Sequence, residues 1–163
     1  METVRIIEGD GRAAGHRFAL VVARYNDFVT DRLQAGALAA LAAAGAAPEG
    51  IVVVRVPGAW EIPLAAQHVA ESGGYDAIIC LGCLIRGETA HAGYIASAVA
   101  DSLAATAGAT GVPITFGVLT TNSVEEALAR AGDGPSNKGH EAALAAIQMA
   151  SVVAQLSRPS AAS

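Results

Sequence analysis

The sequence predicts a three-layer α/β/α sandwich built on a four-stranded parallel sheet. Two observations lead there. Apolar runs rich in β-branched residues alternate along the chain with segments of helical period, and those runs are apolar throughout rather than at every second residue. A strand that is apolar on both faces is buried on both, as in a parallel sheet covered by helices above and below. Right-handed crossovers then make the domain doubly wound. The 163 residues suffice for one domain over 1–163, with an N-terminal arm over 1–15 and a frayed tail over 157–163.

FALVVAR (18–24) is the first buried strand. TDRLQAGALAALAAAG follows as a helix, with Leu33, Ala37, Leu38 and Leu41 at helical spacing and Gly45 as its stop. IVVVRVPG is the second strand. Pro63 stands near the start of a short helix, IPLAAQHVAES, which Gly73 and Gly74 end. YDAIICLG (75–82) is the third strand, and Ile95, Val99 and Leu103 stripe the next helix. Pro113 opens the fourth strand, PITFGVLT. Ser123 and Glu126 have capping-box spacing ahead of VEEALARAG. After the GDGPSN turn, the last helix carries Leu144, Ile147, Val152 and Leu156 on one side. TVRIIEG near the N-terminus is a candidate extra strand that would suit pairing with a neighbouring subunit.

Composition bounds the function. Charged residues are 15% and mean hydropathy is +0.43, which suits a chain that hides surface against copies of itself. No run of eighteen apolar residues escapes interruption, so no membrane span is expected. METVRIIEGDGRAAG lacks the basic-then-apolar layout of a signal peptide, so the expectation is a cytoplasmic homo-oligomer. A net charge of −5 without a Lys/Arg run argues against nucleic-acid binding. Two cysteines are too few for a disulfide framework.

In doubly wound sheets ligands bind beyond the carboxyl ends of the strands. The residues following each strand are therefore the informative ones. They are Arg24, Tyr25, Asn26 and Asp27; Pro57 to Glu61; Cys83 to His91; and Phe116 through Asn122. The sparse aromatic residues Tyr25, Trp60, Tyr94 and Phe116 fall near that edge, which points to a small-molecule site. Cys80 and Cys83 form a C-x-x-C pair, but an odd spacing in an extended chain sends the two thiols to opposite faces. They read as small buried residues rather than a redox or zinc pair. IRGETAH offers a Gly and a helix N-terminus suited to an anion, with Thr89 as hydroxyl donor or cap. His91 lies in the first turn of that helix, and imidazole is the side chain that exchanges protons near neutral pH. Arg130 and Lys138 flank the GDGPSN turn, either as surface charges or as cations for a phosphate held by a neighbouring chain. There is no Walker loop and no dinucleotide fingerprint.

Taken together, ARYND, VPGAWEIP, LGCLIRGETAH, PITFGVLTTNS, RAG and NKGHEAALAAI resemble the 6,7-dimethyl-8-ribityllumazine synthase family, in order over about residues 18 to 150. The resemblance implies a flavodoxin-like sandwich. It implies condensation of 5-amino-6-(D-ribitylamino)uracil with 3,4-dihydroxy-2-butanone 4-phosphate, the penultimate step of riboflavin synthesis, with no metal and no organic cofactor. It implies that Tyr25 stacks on the pyrimidine and that Ala59, Trp60 and Glu61 hold the ring and ribityl chain. Cys83, Leu84 and Ile85 would line the pyrimidine pocket, largely through backbone. Glu88 and Thr89 would bind phosphate with Arg130 facing it, and Phe116 would come from an adjacent subunit. His91 matches the general acid/base. The short connection between RAG and NKG resembles members that build a 60-subunit icosahedral shell from pentamers, and riboflavin synthase is the implied partner. Ala92 departs from the aromatic residue that commonly follows the histidine.

Overall fold

The computed structural model describes residues 2–87 and 90–158. Four parallel strands, β1 (Phe18–Ala23), β2 (Ile51–Val56), β3 (Ala77–Ile85) and β4 (Ile114–Thr121), lie in the order β2-β1-β3-β4. Five helices alternate with them: α1 (Asp27–Ala43), α2 (Ile62–Glu71), α3 (His91–Thr110), α4 (Val124–Ala129) and α5 (Lys138–Ser157). The strand order reverses between β1 and β3, and the crevice of a doubly wound sheet opens at that switch point.

The two-residue period of the strands divides the core. Phe18, Leu20, Val22, Ala77, Ile79, Leu81 and Cys83 face one side and pack with α1 and α5. Ala19, Val21, Ala23, Ile78 and Cys80 face the other and meet Ile62, Ala66 and Ala70 of α2 and Val99 and Leu103 of α3. Helices therefore cover both faces of the sheet, as its continuously apolar strands require.

Two expectations are corrected. β3 runs on to Ile85 rather than ending at residue 82, because pairing with β4 continues through Ile85 and Thr121. Gly82 does not stop the strand. A side chain there would crowd Ile62 Cδ1 at 3.3 Å, so its bareness serves helix–sheet packing. Of the large apolar residues predicted to stripe α5, only Ile147 lies on its buried face. Leu144 and Leu156 are exposed, and α5 otherwise buries Gly139, Ala142, Ala143, Ala146 and Ala150. The cause is a close crossing with α1, where a Cβ on Gly139 would run into the Leu33 backbone. Within the single chain TVRIIEG is irregular. Its Val4 and Ile6 are exposed, and the segment after them is held to α5 by Gln155 Nε2 donating to Glu8 O (2.8 Å) and Asp10 N donating to Ser151 Oγ (3.2 Å).

Ser123 caps α4 by accepting from Glu126 N at 3.1 Å. The Glu126 carboxylate reaches back to Asn122 N at 2.9 Å, one residue earlier than the standard box. Helix α5 extends through Ser157, and residues 159–163 of the expected tail lie outside the described residues. Among the described residues no helix is long and apolar enough to cross a membrane.

Candidate active site

The β1–β2 ladder continues past the last strand residues, with Arg24 N donating to Val56 O (2.8 Å) and Tyr25 N to Pro57 O (3.0 Å). Tyr25 is thereby held at the rim of the sheet and is 72% exposed. One residue later Asn26 turns the chain into α1, and its Nδ2 donates to Cys83 O at 2.9 Å across the switch point. After β2, Gly58 is extended, and a single 3-10 turn over Ala59–Glu61 follows. That turn buries Ala59 and leaves the Trp60 ring exposed, while Ile62, fully buried, anchors it into the α2–α3 side of the core.

These segments and the start of α3 enclose a cavity of about 390 Å³. Tyr25 and Asn26 line it from β1, Gly58 to Glu61 from β2, Leu84, Ile85 and Gly87 from β3, and His91, Ala92 and Ile95 from α3. A cavity of this size, apolar walls with a few polar groups, suits one heterocycle. Trp60 also borders a larger apolar concavity with His91, Tyr94, Ile95 and Ala98, so its indole is a partition between two hollows.

Of the predicted residues, Tyr25, Ala59, Trp60, Glu61, Leu84, Ile85 and His91 meet in this cavity. Cys83 stands behind it: its carbonyl takes the Asn26 amide, and its thiol points into the α1–α5 side of the core. Cys80 is buried on the opposite side. Both thiols are free, and burial raises both acidities' thresholds, Cys83 being pushed up to about 11 and Cys80 further in the same direction. Neither is a ready thiolate nucleophile. Among the described residues no group of three His, Cys, Asp or Glu side chains could hold a metal ion.

Phe116 and Arg130 do not join the cavity. They line a separate hollow of about 290 Å³ on the β4 flank, with Thr120, Lys138 and Glu141. Phe116 is 47% exposed there, Arg130 Nη1 donates to Glu126 O (3.2 Å), and Lys138 pairs with Glu141 at 2.9 Å. Glu88 and Thr89 lie outside the described residues. Asn26, Ile95 and Ala92 line the cavity although the sequence assigned them no binding role. Ile95 was readable from its i+4 spacing to His91, and Asn26 from its position between strand and helix.

Comparison with known proteins decides what this arrangement belongs to. Residues 15–154 match the family model for 6,7-dimethyl-8-ribityllumazine synthase. The chain belongs to the 6,7-dimethyl-8-ribityllumazine synthase family. It is 49% identical over 151 residues to the 6,7-dimethyl-8-ribityllumazine synthase of Desulfatibacillum aliphaticivorans, covering 93% of this chain and 97% of the relative. It is 51% identical over 150 residues to that of Salinibacter ruber, covering 92% and 96%. Membership in the lumazine synthase family makes the chain a transferase of riboflavin biosynthesis that carries out the condensation step.

Proposed function

We propose that the cavity at the ends of β1, β2 and β3 seats 5-amino-6-(D-ribitylamino)uracil, and that His91 moves protons as this ring condenses with 3,4-dihydroxy-2-butanone 4-phosphate. The observation that carries the reading is the convergence of Tyr25, Trp60, Glu61 and His91 on one cavity. Tyr25 stacks on the pyrimidine, and Ala59, Trp60 and Glu61 hold the ring edge and ribityl chain, the carboxylate accepting from hydroxyls. Leu84 and Ile85 form the floor, and Cys83 contributes backbone. Glu88, Thr89 and Arg130 hold the phosphate, a role that rests on the resemblance.

The chemistry follows from these positions. The ring amine adds to the ketone, and loss of water leaves an imine. His91 removes the proton on the adjacent carbon, the C–O bond to phosphate breaks, and the resulting enol tautomerises to a ketone. The ribityl-bearing nitrogen closes onto that ketone, and a second water leaves to give 6,7-dimethyl-8-ribityllumazine. Each step is a condensation, an elimination or a proton transfer with no net redox change, so no cofactor is required. Holding two reactive molecules in register supplies much of the acceleration.

The separation of Phe116 and Arg130 from the cavity supports a site completed between subunits: the β4-flank hollow of one protomer faces the cavity of the next. Exposed Trp60, Leu64 and Tyr94 beside α2 and α3, and Leu144, Met149 and Leu156 on α5, offer the apolar surface such assembly needs. The short 130–137 connection between α4 and α5, with the family resemblance, supports a pentamer assembled into the 60-subunit shell; the cytoplasmic setting and a riboflavin synthase partner rest on the resemblance alone. The test is to mix purified protein with both substrates and follow lumazine absorbance and phosphate release against a blank without enzyme. Parallel, stoichiometric appearance of both above the blank is expected. Binding of the lumazine without acceleration would overturn the reading in favour of an idle binding protein.

A further inference from the structure

Asn26 is the one non-glycine residue with positive φ among the described residues, at φ 62° and ψ 46°. That region crowds the Cβ of most L-residues, and Asn tolerates it best. The conformation lets a single residue turn the chain from strand to helix. Tyr25 N is still on the ladder with Pro57 O, while Asn26 O already accepts from Val29 N (2.9 Å) and Thr30 N (3.0 Å) of α1. The same residue also crosses the sheet. Register between β1 and β3 ends at Val22 and Leu81, so the Cys83 carbonyl lies past its last backbone partner on β1. The Asn26 amide takes that partner's place at 2.9 Å.

The two strand ends joined in this way both carry walls of the cavity: Tyr25 on one, Leu84 and Ile85 on the other, with Asn26 itself in the lining. From this geometry we infer that Asn26 is a positioning residue for the pyrimidine substrate. Its amide fixes the width of the β1–β3 cleft in which the ring is held, acting through the Cys83 carbonyl and the Tyr25 backbone. The inference rests on the reading that the ring occupies this cleft. It separates two demands on one position: the left-handed backbone, which Gly meets equally well, and the amide donor, which Gly and Asp both lack. An Asp carboxylate would set two acceptor oxygens against each other, its negative charge repelled by the partial negative charge of the carbonyl oxygen, and push the cleft open.

The test uses the assembled protein and steady-state kinetics with each substrate varied in turn, on Asn26→Gly and Asn26→Asp. Expected for both is a KM for 5-amino-6-(D-ribitylamino)uracil raised by about tenfold, which corresponds to about 1.4 kcal/mol. The KM for 3,4-dihydroxy-2-butanone 4-phosphate should stay within twofold. Melting temperature should fall little in Asn26→Gly, which retains the turn. A wild-type KM for the ring substrate in both variants overturns the inference, as does an equal rise in both KM values, which marks a general structural role. Failure of both variants to fold assigns the residue to stability alone and overturns it too. Absence of turnover or ring binding by the wild-type protein would instead strike the reading of the cleft itself.

Discussion

Asn137 concentrates more of the fold than its size suggests. It is 3% exposed and stands at the N-cap of α5. Its Oδ1 accepts from Gly139 N (2.8 Å) and His140 N (3.1 Å), and its Nδ2 donates to Arg32 O (3.1 Å) and Gly132 O (2.9 Å). One amide thus caps α5, holds the turn that follows α4 and ties both to the end of the first turns of α1. Asn137→Ala removes the cap, which costs about 1 kcal/mol. It also leaves two carbonyls without their donor, at about 1 kcal/mol each. The sum, roughly 3 kcal/mol, corresponds to a melting temperature lower by about 6–12 °C for a chain of this size. The assay is far-UV circular dichroism melting at fixed protomer concentration, because assembly makes the midpoint concentration-dependent. A Cβ on Gly36 would meet the Asn137 amide group, so Gly36→Ala should destabilise the wild type and cost less once the amide is gone. A melting temperature for Asn137→Ala within about 2 °C of wild type would refute this apportioning of the network.

His91→Ala should lower kcat by about 10²–10⁴-fold if proton transfer limits the rate, with ring-substrate binding by fluorescence titration largely kept. An unchanged kcat contradicts the acid/base role. Arg130→Ala should raise the KM for the phosphorylated ketone more than that for the ring substrate, measured by varying each in turn. Burial holds the Cys83 thiol protonated up to about 11, against about 8.5 in an unfolded chain. Its stabilising contribution is present below about pH 8.5 and is lost as pH rises toward 11, so the urea midpoint should fall over that window, and a Cys83→Ala variant should flatten the fall. Cys80→Ala should keep full turnover, and retained activity would separate this site from thiol chemistry.

Most of the fold was legible because its signals are local. Continuous Val/Ile/Leu runs specified buried parallel strands, and Ser123 with Glu126 announced the start of α4. The end of β3 was not legible, since Gly82 breaks the pattern while pairing with β4 keeps residues 83–85 extended. The buried face of α5 was only partly legible because size is a poor guide where helices cross closely: Ile147 is buried, but Gly139 fits against the Leu33 backbone and Leu144 and Leu156 turn outward. The cavity residues came through because they follow strands in a fold whose ligands bind there. The separation of Arg130 and Phe116 from His91 depends on which flank of the sheet β4 occupies, and no local pattern near those residues encodes it. Asn26 and Asn137 escaped for a related reason. Each is a polar residue beside a helix start, but the bond that gives it importance reaches a segment distant in sequence.

The central claim is that the active site is shared, with His91 from one protomer and Arg130 from its neighbour. The direct measurement is activity of hybrids made by refolding His91→Ala and Arg130→Ala chains together in equal amounts. In a ring of head-to-tail interfaces, random mixing restores both residues at about one interface in four. At phosphorylated-ketone concentrations well below the KM of Arg130→Ala, where each variant alone is nearly inactive, turnover should therefore recover to about one quarter of wild type. Hybrids no more active than the average of the two variants would contradict the claim, since both residues would then have to come from the same chain.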